Sequence, residues 1–418
     1  MNLSVVRFLD RSVGVPLCRG LVRVVKPRTT AAPTDDPKRI LIMRGPGVGN
    51  LVLMQPTLKA LRDRFPNARI DAVTLASNRG FLERLGYFSR IWYLNDRSVG
   101  NFFTSFAKVF PTLRRVHYDL FIDFEQFAKT SAIVSLLLRI PRRIGFLIHG
   151  QGREAAYTDG VSFPYHLHTM DAFHTLVEPL GVAPARHLRA LPVPFTATER
   201  QNIEDLLAAE KISPDDRIAV IHPGTGENFI LRRWPEDRFA AVADFLAQQG
   251  FKVVLTGGRS EAELVARVAN EMKMPAFNAV GKLTLGELLA LLKRATLVIS
   301  NDTGPLHLAT TQGTPTVGLY GPNTPTLYGP RGEYDITLYL GLPCSPCMTN
   351  SNDKSSSCRN NICMKLMTVD QVIASLSRIF EGQAVMPAFL GGVRPIPTSP
   401  AVHPLLIRRP PVERSRPA

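Results

Sequence analysis

Two doubly wound α/β domains are predicted by three features of this sequence. Short apolar runs alternate with helix-length segments along most of the chain, as they do when crossover helices link the strands of a parallel sheet. The alternation runs through twice, on either side of a proline-containing connection near residues 182–200. At 418 residues the chain also exceeds the length at which a single hydrophobic core stops growing. The predicted division is a basic N-terminal segment and linker (1–37), an N-terminal domain (38–195), a C-terminal domain (196–383) and a tail (384–418).

The first 28 residues have helical period. Leu3, Val6, Leu9 and Val13 share one side, Leu17, Leu21 and Val24 continue the stripe beyond Gly14 and Pro16, and Arg7, Arg11, Arg19, Arg23, Lys26 and Arg28 edge it. Such a helix suits an anionic membrane surface or a berth on its own protein, and both remain open. Arg7, Asp10 and Arg11 interrupt the apolar run, so it does not read as a cleaved secretion signal. No stretch reaches the roughly eighteen uncharged apolar residues of a spanning helix. Residues 29–37 read as a linker, and the proline- and arginine-rich tail, without apolar period, is expected to be disordered. The balance of 50 Lys and Arg against 35 Asp and Glu, +15, favours phosphate-rich partners, although part of the excess lies in the tails.

In the first domain, strands are predicted at Arg39 to Met43, Arg69 to Leu75, Ile91 to Leu94, Asp119 to Phe124 and Arg142 to Phe146. The first leads through GPGVGN, glycines at 45, 47 and 49, into an amphipathic helix. That spacing is not G-x-G-x-x-G, no acid closes the second strand and no Gly-Lys-Ser/Thr follows, so neither a nicotinamide site nor a Walker loop fits. A bare turn with no ligand is the plainer reading.

The second domain repeats the plan from RIAVIHPGTGE onward. His222, Pro223, Gly224, Thr225 and Gly226 follow a strand, where backbone N–H groups can receive phosphate oxygens, and Arg232 and Arg233 stand close behind. Trp234 reads as a packing residue. After the strand TLVIS, Asn301, Asp302, Thr303 and Gly304 open a helix whose N-terminal N–H groups suit a pyrophosphate. Asp302 also fits a simple N-cap, and His307 a buried core histidine. Together the turns at His222 to Gly226 and Asp302 to Gly304 are expected to converge on a diphosphate.

In order and spacing, ILIMRGPGVGNLVLMQPTLKALR, HPGTGE, RRWPEDRF, LTGG and ISNDTGPLHLATTQGTPTVGLYGP resemble the ADP-heptose:lipopolysaccharide heptosyltransferases of the ninth glycosyltransferase family, over about Lys38 to Met367. The resemblance implies a GT-B fold, two Rossmann-like doubly wound α/β domains facing a central cleft, with donor on the C-terminal half and acceptor on the N-terminal half. It implies inverting transfer of a sugar from a nucleotide-sugar, with no cofactor or metal required for catalysis. Carried over, Arg232 lies near the donor phosphates, Asp302, Thr303, Gly304 and His307 form the donor loop, and Ser260 and Glu261 meet the ribose. Gly47, Gly49 and Asn50 would then line the acceptor side. The implied acceptor is a lipopolysaccharide or other lipid-linked glycan, the implied location the cytoplasmic face of the inner membrane.

One position departs. The family's Gly-rich loop ends Gly-Asp, and that Asp is its general base, whereas Gly49 is followed here by Asn50, an amide that cannot take up a hydroxyl proton. Asn50 then orients the acceptor, and Glu125, Asp123 or His149 supplies the base, Glu125 preferred because it lies just past a strand end. A catalytically inactive sugar-nucleotide binder is the alternative. A two-domain epimerase lacks its motifs here, and a nucleic-acid partner is not expected without interleaved aromatic and basic residues. Finally, Cys344, Cys347, Cys358 and Cys363 fit either a structural zinc site or free thiols.

Overall fold

The structure is a computed structural model that describes residues 10–25, 36–148, 150–350, 352 and 354–380, and the backbone of 406–408. Strands β1 (Arg39–Arg44), β2 (Arg69–Leu75), β3 (Arg90–Leu94), β4 (Leu120–Asp123), β5 (Arg142–Leu147) and β6 (Asp159–Ser162) form a parallel sheet in the order β6-β5-β4-β1-β2-β3. Strands β7 (Ile218–His222), β8 (Lys252–Leu255), β9 (Phe277–Asn278), β10 (Leu297–Asn301), β11 (Thr316–Tyr320) and β12 (Asp335–Tyr339) form a second, in the order β12-β11-β10-β7-β8-β9. Numbered within its own half, each follows 3-2-1-4-5-6, the order in which ligands collect beyond the first and fourth strands. That rule directs attention to the ends of β1 and β4 and of β7 and β10.

The predicted strands of both halves are present, and β6, β9 and β12, too short or too polar to stand out, are added at the edges. From the tail expected to be disordered, β13 (Leu406–Arg408) pairs antiparallel with β6. The rest of that tail lies outside the described residues.

The helices that matter for the site are α1 (Val15–Val24), α2 (Val48–Arg64), α3 (Thr169–Thr175), α4 (Ala197–Ala209), α5 (Leu285–Arg294) and α6 (Gly304–Gln312). The α2 segment is not amphipathic in effect: Leu51 through Leu58 are all buried. Such a helix is covered on all sides. It packs on its own domain and on α3, and across the domain boundary on α6, while α4 packs on α5. One apolar cluster accordingly runs from Ile40 and Ile42 through Leu51 and Leu58 to Leu306, Leu308 and Tyr320. Gln55 of α2 and Gln312 of α6 donate to the carbonyls of Pro192 (3.3 Å) and Val193 (3.0 Å), fastening the extended interdomain connection to both domains.

The N-terminal segment takes the berth on its own protein. Cys18 is buried among Ala132, Leu136, Ala156 and Tyr157, and Asp10 accepts from the Lys129 N–H (2.8 Å) and pairs with its ammonium (3.0 Å). Its outer side still presents Val13, Leu17 and Val24, which are 55%, 46% and 78% exposed. Residues 1–9 and 26–35 lie outside the described residues.

Candidate active site

The two halves meet where each sheet has its switch point. Gly49, in the first turn of α2, is so close to α6 that a Cβ there would lie 3.0 Å from His307 Cδ2 and 3.5 Å from Gly304 Cα. Two helix N-termini therefore abut, each carrying partial positive charge. Gly47 enters α2 at φ 113°, a conformation that favours glycine, and the Asn50 amide lies against it.

On the N-terminal side, Glu125 projects from the end of β4 over the glycine turn. Its carboxylate accepts from the Gly45 N–H and faces Arg44 at 3.7 Å, with only 7% of the residue exposed. Asp123, an expected alternative base, is a structural carboxylate instead. It is fully buried and accepts from Ser131 Oγ (2.7 Å), Tyr157 Oη (2.7 Å) and the Glu125 N–H (2.9 Å), with Arg153 at 3.8 Å. Burial raises its pKa against the pull of Arg153, Tyr157 and Ser131. No substrate hydroxyl can reach a group so enclosed. His149 lies outside the described residues.

On the C-terminal side the two turns are neighbours, because Asn301 donates to the Pro223 carbonyl at 2.8 Å and accepts from the Trp234 N–H at 3.1 Å. Trp234 is a packing residue, buried against Phe239 with its indole N–H on the Met367 carbonyl. Asp302 is not an N-cap: Thr303 holds that position with no side-chain cap, while the Asp302 carboxylate pairs with Arg232 at 3.1 Å and accepts from Asn323 at 2.7 Å. Arg232 also donates to the Asp302 carbonyl and lies over the Phe229 ring. His307 is buried and feels both of these charges. Burial pulls its pKa down to about 4, Arg232 adding to the effect and Asp302 opposing it, so its ring is neutral at pH 7.

The first turn departs from expectation. Glu261 fills it, accepting from the Gly226 N–H (2.8 Å) and the Gly258 N–H (2.9 Å), so the Gly226 N–H is not open to a phosphate. Gly224 is glycine for this reason, since a Cβ would fall 2.1 Å from Glu261 Oε1. His222 stands 3.8 Å away and bonds Thr256 Oγ1 at 3.2 Å. Burial holds the His222 pKa below its usual value against the pull of Glu261, while the two backbone donors and the Arg233 charge help keep the Glu261 carboxyl below the usual range despite its own burial. Thr225 is tied to Arg233 at 3.2 Å, and Ser260 is exposed at the rim. Of the two turns, the one at Asp302 to Gly304 thus keeps a cation, Arg232, beside the start of α6, whereas in the other the Gly226 N–H is already taken.

This pair of doubly wound sheets, closed on each other at Gly49 and Gly304, matches known proteins. Residues 106–356 match the model of glycosyltransferase family 9 (heptosyltransferase). The chain belongs to glycosyltransferase family 9. It is 26% identical over 350 residues, 80% of its length and 96% of the relative's, to lipopolysaccharide heptosyltransferase 3 of Escherichia coli K12. A family 9 glycosyl transferase structure from Veillonella parvula superposes with a TM-score of 0.69 at 23% identity, covering 83% of this chain and 98% of the other. For the E. coli ADP-heptose LPS heptosyltransferase II the TM-score is 0.65 at 20% identity, covering 83% and 100%. The family 9 chain is a glycosyltransferase, and its fold is GT-B.

Sequence reasoning missed several residues in this cleft. Asn323, Asn350 and Lys354, from loops, and Tyr328, which ends the short helix Pro325–Tyr328, are not singled out by the sequence, since their position depends on the fold. The four cysteines do line one cavity of about 280 Å³ with Leu231 and Pro322. Among the described residues, however, no group of three His, Cys, Asp or Glu side chains is placed to hold a metal ion. Cys363 is anchored in the domain core and Cys344 is exposed, while Cys347 accepts from Ser356 and Cys358 donates to the Asn360 carbonyl. The tetrahedral arrangement that the zinc alternative would need is not formed among them. No described helix is long and apolar enough to cross a membrane.

Proposed function

We propose that this chain is an inverting heptosyltransferase that moves a heptose from an ADP-linked donor to a lipopolysaccharide core acceptor, without catalytic metal. The observation that carries the proposal is the meeting of the α2 and α6 N-termini between Glu125 on one side and the Arg232–Asp302 pair on the other. An acceptor hydroxyl enters along Gly47, Gly49 and Asn50, and its oxygen attacks the anomeric carbon from the face opposite the nucleotide. The bond to the diphosphate breaks, its electron pair leaves with the diphosphate, and Arg232 and the start of α6 offset the departing charge. Glu125 takes the hydroxyl proton, Asn50 orients the acceptor, Asp302 and His307 contact the transferred sugar, and Glu261 and Ser260 meet the ribose. The names of the relatives support heptose and ADP.

The exposed Val13, Leu17 and Val24 with Arg19 and Arg23 support peripheral attachment to the anionic cytoplasmic face of the inner membrane. Glu125→Gln tests the chemistry: turnover with ADP-heptose falls roughly 10²- to 10⁴-fold with ADP affinity within about threefold. Unchanged turnover removes Glu125 as base. ADP-heptose binding without transfer or hydrolysis by wild-type protein would favour the non-catalytic sugar-nucleotide binder that Asn50 suggests.

A further inference from the structure

The loop 344–363 does more than house cysteines. It is fixed on the donor side of the cleft by the N–H groups of Cys347 and Met348, which donate to the Pro322 carbonyl at 3.0 and 2.8 Å, and by Asn361, which donates to the carbonyls of Leu231 (3.1 Å) and Arg233 (2.9 Å). From this loop Lys354 reaches inward. Only 8% of it is exposed, and its backbone is left-handed at φ 55°, uncommon for a residue with a Cβ. Its ammonium donates to Asn323 Oδ1 at 2.9 Å and sits 3.8 Å from the Tyr328 ring centre. Asn323 passes the contact on to Asp302, which holds Arg232. Arg232 thus pairs with the carboxylate directly, and Lys354 reaches it through the Asn323 amide.

The surrounding polar atoms point the same way. Tyr328 donates to Asn350 Oδ1 at 2.8 Å and lies 3.5 Å from Gln126 Oε1, so both amides turn their oxygens to it. Their nitrogens, Asn350 Nδ2 and Gln126 Nε2, are buried with no hydrogen-bond partner among the described residues, as is Arg232 Nε; Gln126 is 1% and Asn350 2% exposed. Every one of these unmatched groups is a donor. Buried donors without acceptors cost free energy, and a ligand rich in acceptor oxygens removes that cost.

We propose that Lys354 is the second cation on the donor diphosphate, working beside Arg232, with Asn350 and Gln126 as neutral donors to the same oxygens. This rests on the donor reading above. It gives the four-cysteine loop a task, since the loop carries the lysine. In a transfer without metal, a second cation offsets charge that Arg232, already paired with Asp302, offsets only in part. Burial, and after it the Arg232 charge, hold the Lys354 pKa well below the usual ammonium value against the pull of Asp302. An arriving diphosphate reverses that balance.

The test compares ADP, AMP and inorganic pyrophosphate by titration calorimetry on wild type, Lys354→Met and Lys354→Gln, the last keeping a donor to Asn323 if the Met variant does not fold. ADP and pyrophosphate affinity falls about 10- to 100-fold while AMP affinity changes far less. Scanned from pH 7 up to 10.5, the ordinary lysine value, wild type shows a proton uptake on binding ADP, read as a binding enthalpy that varies with buffer ionisation, that the Gln variant lacks. Among the described residues, the titratable and charged groups facing Lys354 include Arg232, Asp302 and the Tyr328 phenol, all still present in that variant. An unchanged ratio of ADP to AMP affinity in both variants, or equal proton uptake in wild type and Lys354→Gln, overturns the role of Lys354 and leaves the glycosyltransferase reading standing. Failure of wild type to bind ADP or pyrophosphate at all overturns both.

Discussion

Replacing Gly224 with alanine probes how the turn after β7 is built. The added methyl carbon would stand 2.1 Å from Glu261 Oε1, 2.2 Å from Cδ and 2.4 Å from Oε2, so the carboxylate must leave. In leaving it gives up the N–H groups of Gly226 at 2.8 Å and Gly258 at 2.9 Å. Hydrogen bonds to a charged group contribute about 1.5–3 kcal/mol each, a gross loss of about 3–6 kcal/mol. The released carboxylate regains water at the rim, where Ser260 is exposed, so the net loss should be about 2–3 kcal/mol. Urea unfolding at pH 7 measures it. Because Glu261 is the proposed ribose contact, calorimetry should show ADP binding weakened about tenfold, one lost hydrogen bond's worth. Glu261→Gln, which fits the same space, should cost less on both counts. Wild-type stability together with wild-type ADP affinity in Gly224→Ala would mean that the carboxylate does not occupy this turn.

Asp123→Asn should act on stability and not on chemistry, costing about 3–5 kcal/mol because fully buried Arg153 loses its charge partner; an unfolding curve equal to wild type would contradict the structural role, and ADP affinity should not move. The histidines set an acid limit. His307 titrates near pH 4 folded against 6.5 unfolded, so its contribution is complete above pH 6.5 and is lost as pH falls toward 4, up to about 3 kcal/mol. Buried His222 and His168, also shifted down, add in the same direction, and a urea midpoint that stays constant from pH 7 to pH 5 would refute this. For the N-terminal helix, Leu17→Glu combined with Arg19→Glu and Arg23→Glu should release the protein from anionic vesicles at low salt without loss of ADP binding; undiminished co-sedimentation would defeat the membrane role.

The alternation of runs such as RILIM, KVVL and TLVIS with helical segments determined the fold class, because strands buried on both faces are continuously apolar whatever surrounds them. Glycine turns after β1, β7 and β10 marked the cleft for the same local reason: a strand that feeds a helix in this fold must turn tightly where ligands collect. Even the departure at Asn50 was visible in one residue. The partners of each charged group were not. Asp123 ends β4 and Glu125 lies two residues beyond it, and only the segments folded around them, Ser131, Tyr157 and Arg153 about Asp123 and the Gly45 turn under Glu125, make one an enclosed strut and the other a carboxylate facing the cleft. Asp302 looks like a helix cap until Arg232 and Asn323, 70 and 21 residues away in sequence, are folded against it. Lys354 comes from a loop with no pattern of its own, and that Glu261 fills the turn after β7 shows only in the fold. Hydrophobic period records which face is buried, whereas the pairing of charges depends on contacts between distant segments, and those exist only once the two sheets have closed.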